Sequence, residues 1–246
     1  MKFKKLIISL ITFVIMSQAI SATTVDFEVG FTAPYSNGFY KDKNQKYNNG
    51  IGGLHGGLDL GLNVMFTDFM GLGFNIEHFG SVFTTYTVEG HGISEKTGKE
   101  TYLKDNKTNI FFTNPQFSTT FFLGPTIRPV ANERFVFDIT PGADINLITI
   151  VDGGILNRKD PSFFYFIFET GCGIDLNFKW KKSDKSWISV GLLTTYNFFS
   201  LINGYNTVFD EIPNDDVALD KITIKNMASP NLILTIAPRI GAVFFF

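Results

Sequence analysis

The 246-residue sequence predicts an all-β fold, a single antiparallel barrel of eight strands that crosses a membrane. Three observations predict it. Apolar and polar residues alternate with a period of two along most of the chain after Ala22. Short connections alternate with long ones. Lysine is nearly missing from the polar faces of the strands.

Composition narrows the field first. The hydrophobic share, 44%, argues against bulk disorder. A single Cys excludes a disulfide framework and any Cys-rich metal centre, so no metal and no cofactor is expected. A net charge of −2 excludes a generally basic nucleic-acid binder, and no nucleic-acid partner is expected. The 28 Phe and 23 Gly are unusual and need a structural reason.

Residues 1–22 read as a cleaved secretory signal peptide. Lys2, Lys4 and Lys5 form a basic start. Leu6–Met16 form an apolar core too short to span a bilayer, and Ala19, Ser21 and Ala22 are small residues around a cut after Ser21 or Ala22. Residues 23–246 then form one domain.

The strands follow in order. Val25, Phe27, Val29 and Phe31 oppose Asp26, Glu28, Gly30 and Thr32. Leu54, Leu58, Leu60, Leu62, Val64 and Phe66 oppose His55, Gly57, Asp59, Gly61 and Asn63. Leu72, Phe74 and Ile76 oppose Gly73, Asn75 and Glu77. Phe117, Phe121, Leu123 and Ile127 oppose Gln116, Ser118, Thr120, Gly124 and Arg128. Phe135, Phe137, Ile139, Ala143, Ile145 and Leu147 oppose Asp138, Thr140, Gly142, Asp144 and Asn146. Phe164, Phe166, Phe168, Cys172, Ile174, Leu176, Phe178 and Trp180 oppose Glu169, Gly171, Gly173, Asp175, Asn177 and Lys179. Ile188, Val190, Leu192, Tyr196 and Phe198 oppose Ser189, Gly191, Thr195 and Asn197. In the last strand Leu232, Leu234, Ile236, Pro238, Ile240, Ala242, Phe244 and Phe246 oppose Thr235, Arg239 and Gly241.

Three connections are tight: Thr67–Met70, Ala131–Arg134 and Lys181–Ser186. Four are long and polar: Pro34–Gly52, Glu89–Thr108, Asp152–Pro161 and Asn203–Ala228. Short turns at one end and long loops at the other are the signature of a barrel threaded through a bacterial outer membrane, with both chain ends on the periplasmic side. A hairpin hidden in Asn203–Ala228 would raise the count to ten.

A soluble ligand-binding barrel has the same period with the opposite polarity. It would carry Lys across its polar strand faces. Here Lys179 alone does so; the other lysines after the leader lie in the long connections or in the Lys181–Lys185 turn. Glycine agrees, because Gly30, Gly57, Gly61, Gly71, Gly73, Gly124, Gly142, Gly171, Gly173, Gly191 and Gly241 fall on the polar face. A narrow eight-stranded interior needs small residues there. Phe66, Phe69, Phe135, Trp180 and Trp187 near the turns, with Tyr86, Phe112, Phe164 and Phe198 toward the loops, are expected as two girdles at the lipid interfaces.

The chain ends on Phe246, preceded by Phe244 and Ile240 at alternate positions. This ending resembles the C-terminal signal of bacterial outer-membrane barrels. With the leader and the strand count, the whole mature chain resembles the small eight-stranded barrels of the OmpA, OmpX and OmpW kind. The resemblance implies insertion among outer-membrane lipids and recognition of Ile240, Phe244 and Phe246 by the barrel assembly machinery.

The candidate functional residues are the charges of the polar face. Asp26, Glu28, Asp59, Glu77, Asp138, Asp144, Glu169 and Asp175 are set against Arg128, Lys179 and Arg239. Confined charges need partners, so a lumenal ion-pair network is the plainest reading, with Arg239 facing Asp26 or Glu28 across the closing seam. The sharper reading is a small cation-preferring channel. The plain reading leaves the long loops to contact the environment, including a host or environmental surface ligand; the basic, aromatic 35–50 segment suits such contact.

A lipid-modifying enzyme is the third alternative, and no catalytic residue is assigned. His55 and Asp59 are about 13 Å apart along one strand, His78 and Ser81 point to opposite faces, and His91 stands in a loop. The acidic 210–220 segment lacks the spacing of a calcium loop, and Cys172 reads as a small lipid-facing hydrophobe.

Overall fold

The computed structural model describes residues 24–38, 48–110, 116–151, 163–183, 186–210, 218–229 and 233–246. The leader lies outside them, as do the Asp152–Pro161 connection, Phe112 and the side chain of Tyr86. All regular structure among the described residues is strand.

Eleven strands are present: β1 Thr24–Thr32, β2 Tyr35–Gly38, β3 Asn48–Met65, β4 Met70–Ser94, β5 Glu100–Ile110, β6 Gln116–Ala131, β7 Phe135–Val151, β8 Phe163–Ser183, β9 Ser186–Asp210, β10 Ala218–Ser229 and β11 Ile233–Phe245. They build a ring of eight. β2 pairs with the same neighbours as β1, namely β3 and β11. β5 and β6 both line β4, and β10 and β11 both line β9. Each of these pairs is one wall strand interrupted once. The first break is at Ala33–Pro34, where Pro34 has no N–H to give the ladder.

Every pairing is antiparallel, and the ring closes where β1 meets β11. There Gly30 stands opposite Gly241, and Val25 and Phe246 exchange two backbone hydrogen bonds of 3.1 and 2.8 Å. A side chain at Gly30 would put its Cβ 2.6 Å from the Ile240 carbonyl oxygen, so close backbone approach requires glycine at this seam.

The ring settles the count at eight. The Asn203–Ala228 segment does contain a hairpin, but its arms prolong β9 and the last wall strand and add nothing to the circumference. Two of the other long connections are likewise more regular than the sequence predicts. Glu89–Thr108 is a β4–β5 hairpin with a tight turn at 95–99, and Pro34–Gly52 contains β2 and the start of β3. These arms rise beyond the bilayer. β4 and β9 are 25 residues each, against the roughly ten that a tilted strand needs to cross. The sequences of β5 and β10 carry no sustained apolar stripe, so they read as polar loops.

The two tall hairpins meet. Ser94 and Ile93 of β4 pair with Ile222 and Thr223 of β10, and the Thr223 hydroxyl donates to Glu95 at 3.0 Å. β4 and β10 are not neighbours in the membrane wall, where the first two wall strands separate them. Above those strands the hairpins close the gap directly.

Candidate functional site

Polarity across the wall is inverted relative to a soluble protein. Phe31, Leu58, Leu60, Phe74, Phe117, Leu123, Ile145, Ile174, Trp180, Val190, Phe198 and Ile240 are exposed on the outside. Asp26, Glu28, Asp59, Glu77, Arg128, Asp138, Asp144, Glu169, Lys179 and Arg239 are each at most 5% exposed on the inside, and Asp175 is nearly as buried. A closed ring has no free edge, and an outward apolar belt with charge within suits a bilayer and no aqueous setting. The chain is a membrane-spanning β-barrel.

Inside, the side chains form layers. At the turn end Met65, Val136 and Val243 make a small apolar floor, and Trp187 packs on Phe245 with ring centroids 4.8 Å apart. This corrects the expected girdle. Trp187 shares its face with the buried Ser189, so it closes the lumen and does not meet lipid. Phe69 and Trp180 are exposed on the outside, as a girdle requires.

Above the floor lies a closed quartet. Arg128 meets Asp26 at 2.5 Å and Asp138 at 2.6 Å. Lys179 meets the same two carboxylates at 2.9 and 2.6 Å. Asn63 adds a hydrogen bond to Asp26 at 2.9 Å. Two cations and two anions leave no net charge, which is how so dense a cluster tolerates burial.

The middle layer is unbalanced. Arg239 bonds Asp175 and Asp59, the latter at 3.2 Å, and stands 4.0 Å from Glu77. Glu28 is held by Asn177 and Ser189, each at 2.5 Å. One cation thus serves a neighbourhood of four carboxylates, with Asn75 and Thr32 giving further hydrogen bonds to Asp59 and Glu77. The expected pairing of Arg239 with Asp26 or Glu28 does not form. The seam register sets Arg239 opposite Thr32 and Asp26 opposite Phe245, well below it, so Asp26 finds its cations across the lumen. Gly191 leaves room for the guanidinium: a Cβ there would lie 2.8 Å from Nη2 of Arg239.

Phe122, Leu193 and Ala237 form an apolar cluster within the lumen. Toward the loop end Glu169 receives the side-chain amides of Asn146 (3.2 Å) and Asn197 (3.0 Å) on one oxygen. Asn146 is itself fixed by Ser118 at 2.5 Å and Thr120 at 3.2 Å. A cap of Ile148, Ile150, Tyr165, Ile167 and Ile202 closes the top. The lumenal cavities beside Glu28 and beside Glu169 each hold about 10 Å³, room for about one water.

Alternation alone does not reveal these apolar layers, because it treats the inner face as uniformly polar. A signal for the cap is present in FFYFIF (residues 163–168), where both faces are apolar over a short run, and in ITI (residues 148–150), where isoleucines take the face that carries Asp144 and Asn146 just before.

The histidines stand apart from one another. His55 is buried in the lumen, tilted against Phe79 at 5.1 Å. His78 faces outward and hydrogen-bonds Thr119 at 2.9 Å, and His91 lies 3.7 Å from Glu100 in the β4–β5 hairpin. Cys172 is exposed on the outer wall. No group of three or more His, Cys, Asp or Glu among the described residues is arranged to hold a metal ion.

No family model matches the chain, and neither does any curated protein. Among solved structures it is similar to the outer-membrane protein OprG of Pseudomonas aeruginosa, at 12% identity over 92% of this chain and 97% of that one, with a TM-score of 0.49. It is also similar to a major outer-membrane protein of Thermus thermophilus, at 12% identity over 89% and 99%, with a TM-score of 0.46. The attachment invasion locus protein Ail of Yersinia pestis matches at 12% identity over 91% and 98%, with a TM-score of 0.41. Such distant likenesses say nothing of what this chain does.

Proposed function

We propose that the barrel is a closed surface platform: an integral outer-membrane protein whose lumen is a structural ionic core and whose tall hairpins contact the environment. The observation that carries this is the filled lumen. Among the described residues a neutral quartet, an apolar floor and an apolar cap fill the lumen, and the cavities beside Glu28 and Glu169 are about 10 Å³ each. An open passage for a hydrated ion needs far more than the space of one water. The hairpins β4–β5 and β9–β10 supply the exposed surface, joined above the membrane by their shared pairing. Their ligand, at a host or environmental surface, belongs to the same proposal, as does reading of Ile240, Phe244 and Phe246 by the assembly machinery; all three side chains point outward.

Planar-bilayer recording of the refolded protein tests it. A silent bilayer with folding confirmed by heat-modifiable gel migration is expected. Discrete cation-selective steps would overturn it in favour of the channel reading, which one observation favours: eight lumenal acids face three lumenal bases.

A further inference from the structure

We propose that the chamber around Glu169 holds one dehydrated alkali cation of sodium or potassium size. The inference is independent of what the hairpins bind. Three observations converge on this chamber. Glu169 is 1% exposed, and its Oε2 is saturated by Asn146 and Asn197, yet its Oε1 has no hydrogen-bond partner. Gln116, 2% exposed, presents a side-chain oxygen that also lacks one, and both ring nitrogens of His55 do too. These three residues line the same small cavity, with Ser36, Ser118 and Thr235 supplying hydroxyls around it.

The charge account points the same way. The three lumenal cations are committed below, to the quartet and to the Arg239 cluster. Asp144, whose two oxygens are buried and unpartnered, lies one diagonal step from Glu169, since Asp144 pairs with Gly171 and Asn146 with Glu169. A buried carboxylate without a counter-charge is costly. The donors facing the space are mostly carboxylate, amide and hydroxyl oxygens, which suit a hard cation. Calcium needs six to eight oxygens and magnesium keeps its waters. A cavity of about 10 Å³ has room for one bare ion and no retained waters, and its lining carries a single carboxylate, Glu169, which balances one positive charge and not two. The cap of Ile150, Tyr165, Ile167 and Ile202 would hold it out of bulk exchange.

The test is the urea unfolding midpoint of the refolded full chain in sodium, potassium or N-methylglucamine chloride at equal ionic strength. A midpoint that rises saturably with sodium or potassium, and stays lower in N-methylglucamine, is expected. Glu169→Gln removes the difference, because the charge to be neutralised is gone, and Gln116→Ala reduces it should the first variant fold poorly. An identical wild-type midpoint in all three salts overturns the proposal and leaves a proton as the neutralising species. A rise that survives in Glu169→Gln overturns it as well, by placing the ion elsewhere. Stabilisation by micromolar calcium alone would overturn the monovalent assignment.

Discussion

At the residue scale the molecule turns on Arg239. It is the one cation amid Asp59, Asp175, Glu77 and Glu28, and it is fully enclosed. Arg239→Met leaves those carboxylates facing one another across a lumen with room for about one water to screen them. The expected loss is about 3–5 kcal/mol, read as a fall in the urea midpoint. Gly191 gives a second, linked prediction. Gly191→Ala sets a methyl 2.8 Å from the guanidinium, which its carboxylates hold in place. The substitution is expected to destabilise the native chain clearly and the Arg239→Met background much less. A double-mutant cycle measures that failure of additivity; equal costs in both backgrounds would show that Gly191 serves some purpose other than making room for Arg239.

At the element scale the distinctive feature is the pairing of two hairpins above the wall. Ser94 and Ile222 are backbone partners there. Cysteines at these two positions are therefore expected to cross-link under mild oxidation in the folded protein and to stay apart when it is unfolded, as gel migration with and without reductant would show. Replacing residues 211–217 by a short turn should leave heat-modifiable folding intact, because the wall below is complete without them.

The membrane-embedded portions of the elements are legible in the sequence, because lipid outside and a crowded polar interior impose a period of two. Asp26, Asp59, Asp138 and Lys179 all fall on the inner face for that reason. Where that constraint ends, legibility ends too. β5 and β10 lie beyond the bilayer and read as loops. Trp187 reads as an outer aromatic, because alternation gives the face of a residue only if its phase is carried to the strand's end. Register between strands is not legible at all. It decides that Arg239 meets Asp59 and not Asp26, and it follows from how the whole ring staggers.

At the scale of the whole molecule the lumen is layered from apolar floor to neutral quartet, acidic middle and apolar cap. This arrangement predicts that opening the barrel takes more than one substitution. Lys179→Met breaks the quartet, but Met65, Val136, Val243 and Phe245 still close the floor and the Ile–Tyr cap still closes the top. The single variant is expected to be less stable yet silent in a planar bilayer. Conductance from it alone would mean that the quartet by itself is the barrier.

The seam between β1 and β11 sets the order of events in folding. Seven of the eight wall junctions join segments that follow one another along the chain and can form as hairpins. The eighth joins the two extremes of the described chain, and its contacts are the most remote in sequence that the fold contains. Contacts of that kind are slow to make, and until they form both strands are bare edges open to any other strand in reach. The protein is therefore most exposed to misassembly at its last step. A glycine facing a glycine, Gly30 opposite Gly241, is the device that lets two backbones slide together without side chains in the way.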